Sequence, residues 1–239
     1  MLENNQPSYA GNGESYEARF AVTAVLKNVY LWMTLALLIS GFTAMAVAGN
    51  AELVSRLFAT RGTLLVLFIA QFGLIWAISS RIGTMSFVTA TLLFLLYSVI
   101  TGVTLSSIFL VFTMESLASV FFITAGTFAV VSIYGFVTKK DLSTWGSYLL
   151  MGLIGVIIAS IVNWFLASEV MYWIVSYVGV AIFVGLTAYD TQKIKVLANQ
   201  CYMEDSETQN KVALMGAITL YLDFINLFLY ILRIFGKRK

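Results

Sequence analysis

The sequence predicts an all-α integral membrane protein, a bundle of seven transmembrane helices. Apolar side chains make up 60% of the 239 residues and charged ones only 11%, where soluble domains carry roughly 45–50% and about 25%. The mean hydropathy is +0.89, and the apolar residues gather into seven runs separated by short polar breaks. A helix rising about 1.5 Å per residue needs about 20 such residues to cross a hydrocarbon core of roughly 30 Å. The seven runs meet or approach that length.

In chain order, residues 1–22 are expected to form a mobile polar tail. Pro7, Gly11, Gly13, Glu3, Glu14 and Glu17 fall in its first 18 residues, which lack apolar periodicity. Residues 23–239 then form one transmembrane domain, with spans at Asn28 to Ala48, Thr63 to Ser80, Thr84 to Ser107, Leu117 to Val137, Trp145 to Ala167, Val170 to Asp190 and Val212 to Leu232. Tyr30, Trp32, Trp76, Trp145, Tyr148, Trp164, Tyr172 and Trp173 fall near the proposed ends, where amphipathic rings favour the headgroup layer. Ala46-Val47-Ala48 has the small-residue pattern of a leader cleavage site, but the apolar run before it is longer than the usual 7–15 residues of a signal peptide.

Loop cations set the expected orientation. Seven spans put Arg19, Lys27, Arg81, Lys139, Lys140, Lys193, Lys195 and Lys211 on one side, and Arg56, Arg61, Arg233, Lys237, Arg238 and Lys239 on the other. Eight against six favours a cytoplasmic N-terminus. If the last segment turned back within the membrane, the count would become twelve against two, so its topology stays open at this point.

Composition also removes function classes. There is no histidine and a single cysteine, Cys201, so zinc, haem and iron–sulfur centres lose their usual ligands. The net charge is +2 and the cations are scattered, which leaves no nucleic-acid footprint. No glycine-rich phosphate loop is present, against an ATP-driven pump. The lipid bilayer is the first partner, no cofactor is expected, and any chemistry must come from carboxylates, amides and hydroxyls.

Two rows of small residues, Ser98-Gly102-Ser106 and Gly155-Ala159-Asn163, recur at helical spacing. Such rows let helix backbones approach closely in lipid, and Asn163 is expected to hydrogen-bond across its contact.

The acidic residues carry more information. Asp190 closes the sixth predicted span and Asp223 lies inside the seventh. An aspartate at a membrane-helix centre costs on the order of 2.5–3.5 kcal/mol on insertion scales, so it normally faces a cavity or a partner. If spans six and seven form a hairpin, the midpoint between the two aspartates falls at Ser206 and Glu207, within the polar stretch Cys201 to Gln209. The carboxyls can therefore lie at one depth. Gly216, Thr219, Asn226 and Tyr230 share a stripe with Asp223, as expected of a helix facing a polar core or an aqueous pathway. Arg81 belongs to the loop on the same side and is placed to pair with Asp190, or else serves as a positive-inside anchor.

On the Ala188-Tyr189-Asp190-Thr191-Gln192 signature and the Tyr221-Leu222-Asp223-Phe224-Ile225-Asn226-Leu227-Phe228 segment, the chain resembles the transmembrane Bax inhibitor motif family over about residues 20 to 236. The resemblance implies a bundle whose last helix is central, enclosed by the other six. It also implies a paired-aspartate pH sensor and a calcium leak. Asp190 and Asp223 match the pair, and Arg81 matches its latch.

Two close carboxylates repel when both are ionised, so such a pair tends to hold one proton between them. Calcium takes six to eight oxygen ligands, of which Asp190 and Asp223, helped by Thr219 and Asn226, offer an incomplete set. The expected function is a pH-sensitive calcium channel or transporter in a multi-pass protein of the bacterial cytoplasmic membrane. The rival is a non-conducting interaction protein that modulates a membrane protease, as some relatives are thought to do. An intramembrane aspartyl protease is disfavoured: Tyr189-Asp190 resembles half of the presenilin-type signature, but Leu220-Tyr221-Leu222 precedes Asp223 where a Gly-x-Gly would be needed. The chain is not expected to be an enzyme.

Overall fold

A computed structural model describes residues 10–59 and 61–239. Nine helices are present among the described residues: α1 (Ala10–Ala48), α2 (Ala51–Phe58), α3 (Arg61–Arg81), α4 (Phe87–Leu105), α5 (Ile108–Val111), α6 (Met114–Val137), α7 (Ser143–Leu166), α8 (Glu169–Gln200) and α9 (Ser206–Phe235). Seven segments are long and apolar enough to cross a membrane, with α4 and α5 together making the third.

Side-chain caps mark several helix starts. Asn50, Ser86, Thr113, Ser168 and Asp205 each accept a hydrogen bond from a first-turn N–H of the following helix, satisfying donors that a helix leaves open. Asn50 introduces α2, a short helix in what the sequence suggested was a loop. It carries the exposed Glu52–Arg56 ion pair at 2.6 Å.

Three predicted boundaries move. Residues 1–9 of the expected tail lie outside the described part, and residues 10–22 continue α1. Once a membrane span has nucleated a helix, each added residue gains a hydrogen bond at little cost, and alanine, glutamate and arginine suit it. The sixth span continues ten residues beyond Asp190 to Gln200. Thr187, Thr191, Ile194, Ala198 and Cys201 keep one buried stripe running at helical spacing. Helix α9 likewise begins at Ser206 rather than Val212.

The last segment does not turn back. Helix α9 is unbroken over 30 residues, and the chain after it pairs with the corner between α5 and α6. Thr113 N–H donates to Lys237 O at 3.1 Å, Lys239 N–H to Val111 O at 2.9 Å, and Lys237 N–H to Ser116 Oγ at 2.9 Å. The basic C-terminal residues therefore sit at the opposite end of the bundle from the α8–α9 turn.

Of the seven spans α9 is the most buried, 61% against 6–39% for the others. It packs chiefly on α8, α1, α6 and α4, while α3 leans mainly on α4 and α7 on α8. Close approaches occur where a side chain is missing. A Cβ on Gly102 would lie 2.6 Å from Ser40 O, and one on Gly135 would collide with the Ala188 carbonyl. The Ser98-Gly102-Ser106 row is thus a packing seam, with all three residues buried. The second predicted row is not. Gly155 faces open space, and Asn163 Oδ1 accepts from Ser168 N–H at 2.9 Å, closing the α7–α8 turn instead of bridging helices. Helix α7 uses Gly146 and Gly152 against α8.

Candidate functional site

The site is assembled where α8 crosses α9. Asp190 of α8 and Asp223 of α9 are neighbouring carboxyls that act on each other electrostatically, and like charges so placed repel when both are ionised. Asp223 is only 5% exposed, and its Oδ2 makes no close hydrogen bond. Asp190 is half-buried and lines a cavity of about 430 Å³ together with Lys193, Lys211, Thr219, Ile82 and Gly83. The cavity brings solvent to Asp190 from the side of the α8–α9 turn. Asp223 lies behind it. Farther along α9, the buried Leu227 and the Tyr230 ring stacked on Phe183 at 5.7 Å fill the helix contact.

Each residue of the Ala188–Gln192 signature has a physical task. Ala188 is small where α8 meets Gly135 of α6, and Tyr189 lays its ring where Gly146 of α7 has no side chain. Asp190 meets Asp223. Thr191 is fully buried and returns its hydroxyl to Thr187 O at 2.7 Å. Gln192 holds the α6–α7 loop: its Oε1 accepts from Leu142 N–H at 2.9 Å and its Nε2 donates to Lys140 O at 2.8 Å. One turn on, Lys195 Nζ donates to Phe136 O at 2.7 Å, capping the end of α6.

The Tyr221–Phe228 segment is placed just as closely. Tyr221 is wholly buried, with its hydroxyl 2.7 Å from Ser40 Oγ. Ser40 in turn lies 2.9 Å from Ala36 O and 2.8 Å from Ser98 O. Carbonyls bring no proton, so the Ser40 proton goes to them and the tyrosine hydroxyl donates to Ser40. Phe224 packs edge-on against Phe121 and Phe128. Of the predicted polar stripe, Thr219 lines the cavity, Gly216 is packed between Val29 and Ile194, and Asn226 Nδ2 donates to Leu222 O at 2.8 Å. Much of the stripe is thus packed, and only its Gly216–Thr219 end meets the cavity.

Arg81 is exposed at the end of α3, and among the described residues it forms no ion pair with either aspartate. Its carbonyl instead accepts from Thr84 and Met85 N–H, both at 3.0 Å, folding the loop so that Ile82 and Gly83 reach the cavity. The cation acting on Asp190 is Lys193, one turn along α8. In the sequence Lys193 and Lys211 stand out only as topology signals. The i, i+3 spacing of Asp190 and Lys193 was the available clue. No group of three or more acidic or cysteine side chains is placed to hold a metal ion among the described residues, so a bound cation would draw on two carboxylates, hydroxyl or carbonyl oxygens, and water.

Known proteins match this chain along almost its whole length. The family model described as inhibitor of apoptosis-promoting Bax1 covers residues 22–239. The chain belongs to the Bax inhibitor family. Among the relatives of this family member, the inner membrane protein YbhL of Escherichia coli K12 is 48% identical over 223 residues, 93% of this chain and 95% of the relative. A protein of Borreliella burgdorferi is 47% identical over 214 residues, 90% and 92% of the two chains, and one of Rickettsia prowazekii is 41% identical over 213 residues, 89% of each. This Bax inhibitor-family protein is a multi-pass membrane protein.

Proposed function

We propose that this protein is a pH-sensitive calcium leak whose gate is the Asp190–Asp223 pair. The observation that supports it is the meeting of two carboxyls from adjacent helices, one lining a cavity and the other buried behind it with an unpaired oxygen. With one proton on the pair the carboxyls satisfy each other and hold α8 against α9. With both ionised they repel, and the same two groups become the strongest attraction for a divalent cation that has entered past Thr219. Protons and calcium thus compete for one site, and acidification weakens calcium occupancy. Lys193 holds positive charge beside Asp190, while the loop after Arg81 forms part of the cavity mouth. In this reading Arg81 latches the pair only in another arrangement of that loop. No covalent step is involved, and calcium is cargo, so no resident cofactor is required.

The test is calcium entry into liposomes containing the purified protein, measured across pH for wild type, Asp190→Asn and Asp223→Asn. Flux above empty liposomes, with a pH response flattened in both variants, is expected. Unchanged pH-dependent flux in folded variants refutes the gate, and no wild-type flux at any pH refutes the leak.

A further inference from the structure

A second feature lies on the other side of α9. Helices α1 and α6 both pack on α9 but leave between them a groove of about 950 Å³, floored by Phe224, Ile225 and Phe228. The groove runs from Lys27 to Met45 on α1 and from Phe136 back to Met114 on α6. At about 1.5 Å per residue both walls approach the thickness of the hydrocarbon core. Gly41 and Gly126 have no heavy atom within contact distance of a Cβ position, so no other element among the described residues covers these parts of α1 and α6.

The groove carries charge at one end only. Lys27 is exposed there, lines the groove and forms no ion pair among the described residues. Behind the facing wall, Lys195 of α8 lies 5.0 Å from the centre of the Phe136 ring. No acidic residue lines the groove. Below this rim is Ser132, 4% exposed, whose hydroxyl has no hydrogen-bond partner. Most other buried hydroxyls on the spans behave differently: Thr124 and Ser98 return theirs to the carbonyl one turn back, at 2.8 and 2.9 Å, the usual solution in a membrane helix, and Thr101 on α4 is the other buried hydroxyl without a partner among the described residues. Ser132 lies five residues before the end of α6, about 8 Å down the helix. That is the depth at which the interfacial layer gives way to hydrocarbon, given about 40–45 Å for the whole bilayer and about 30 Å for its core.

We propose that the α1–α6 groove binds one phospholipid with an anionic headgroup, from the leaflet on the side of the α8–α9 turn. The headgroup meets the Lys27 ammonium, an ester carbonyl accepts the Ser132 hydroxyl, and an acyl chain lies along the phenylalanine floor. Charge at the rim, an unpartnered donor at ester depth and largely apolar walls beyond follow the order of groups along such a lipid.

Native mass spectrometry of the intact, delipidated protein, titrated with palmitoyl-oleoyl phosphatidylglycerol or the phosphatidylcholine of the same chains, tests the site. One phosphatidylglycerol should be retained over phosphatidylcholine by about fivefold, the value of one ammonium beside one anionic headgroup. Lys27→Gln should erase the headgroup preference, and Ser132→Ala should weaken both lipids alike. Lys139→Gln, outside the groove, should change neither. Ala125→Phe should exclude both lipids, and folding of each variant is checked by circular dichroism. Glycerol phosphate without chains should not displace the lipid; displacement would reassign the rim to a free phosphate and overturn the proposal. Equal retention of the two lipids, with no effect of Lys27→Gln, means annular lipid only and also overturns it.

Discussion

Ser40 and Tyr221 offer a quantitative test of how the buried polar contacts hold α9 in place. The tyrosine hydroxyl donates to Ser40 Oγ at 2.7 Å, and Ser40 has its own acceptors in the Ala36 and Ser98 carbonyls. Tyr221→Phe removes one hydrogen bond and strands nothing, because the Ser40 hydroxyl keeps those carbonyls. The expected cost is about 0.5–1.5 kcal/mol, toward the lower end because interhelical hydrogen bonds in membranes average about 0.6 kcal/mol. Ser40→Ala leaves the wholly buried tyrosine hydroxyl without this partner, at a cost of about 1–3 kcal/mol. The double variant has no stranded hydroxyl and should cost less than the sum of the two. The assay is reversible unfolding in mixed detergent–lipid micelles, read as a double-mutant cycle. The reasoning is wrong if Tyr221→Phe costs as much as Ser40→Ala, or if the two effects add.

Three further outcomes are expected. Gln192→Leu should free the α6–α7 loop, raising proteolytic cleavage near Lys139 and Lys140 while α8 stays helical; Gln192→Glu should do the same more weakly, since it keeps the acceptor for Leu142 N–H and loses the donor to Lys140 O. Gly135→Val should push α6 off α8 at Ala188 and cost about 1–3 kcal/mol in the same unfolding assay, as overpacking does; Gly155→Val, in open space, is the control and should cost far less. The third concerns Asp205, whose carboxyl is held below its ordinary value of 3.8, first by the Thr208 N–H. Since the folded value is the lower one, this cap's contribution is full above the unfolded value and lost as pH falls through the folded one. The protection of first-turn α9 amides, taken relative to their intrinsic exchange rate at each pH, should therefore fall below about pH 4 in wild type, and Asp205→Ala should already show that lower protection at neutral pH.

Hydropathy and spacing made the seven spans, the pairing of α8 with α9 and the shared level of the two aspartates legible, because a bilayer demands long apolar helices and penalises a lone carboxylate. Helix ends were less legible. Gln200 and Ser206 lie beyond the apolar runs, where amphipathic turns extend the helices past the hydrocarbon core. Rows of small residues were ambiguous for a related reason: Gly102 and Gly155 read alike in one dimension, and only a neighbour at the right depth turns one of them into a contact.

By itself the sequence determined the class of protein, the number of crossings, the family and the two carboxyls that need an explanation, since these follow from local composition and short motifs. Only the tertiary structure decided that the last segment crosses fully, that Arg81 forms no ion pair with Asp190, that Gln192 pins a loop fifty residues away, and that α1 and α6 part to leave a groove. Those facts depend on which faces of distant helices meet, and that is set by the packing of the whole bundle.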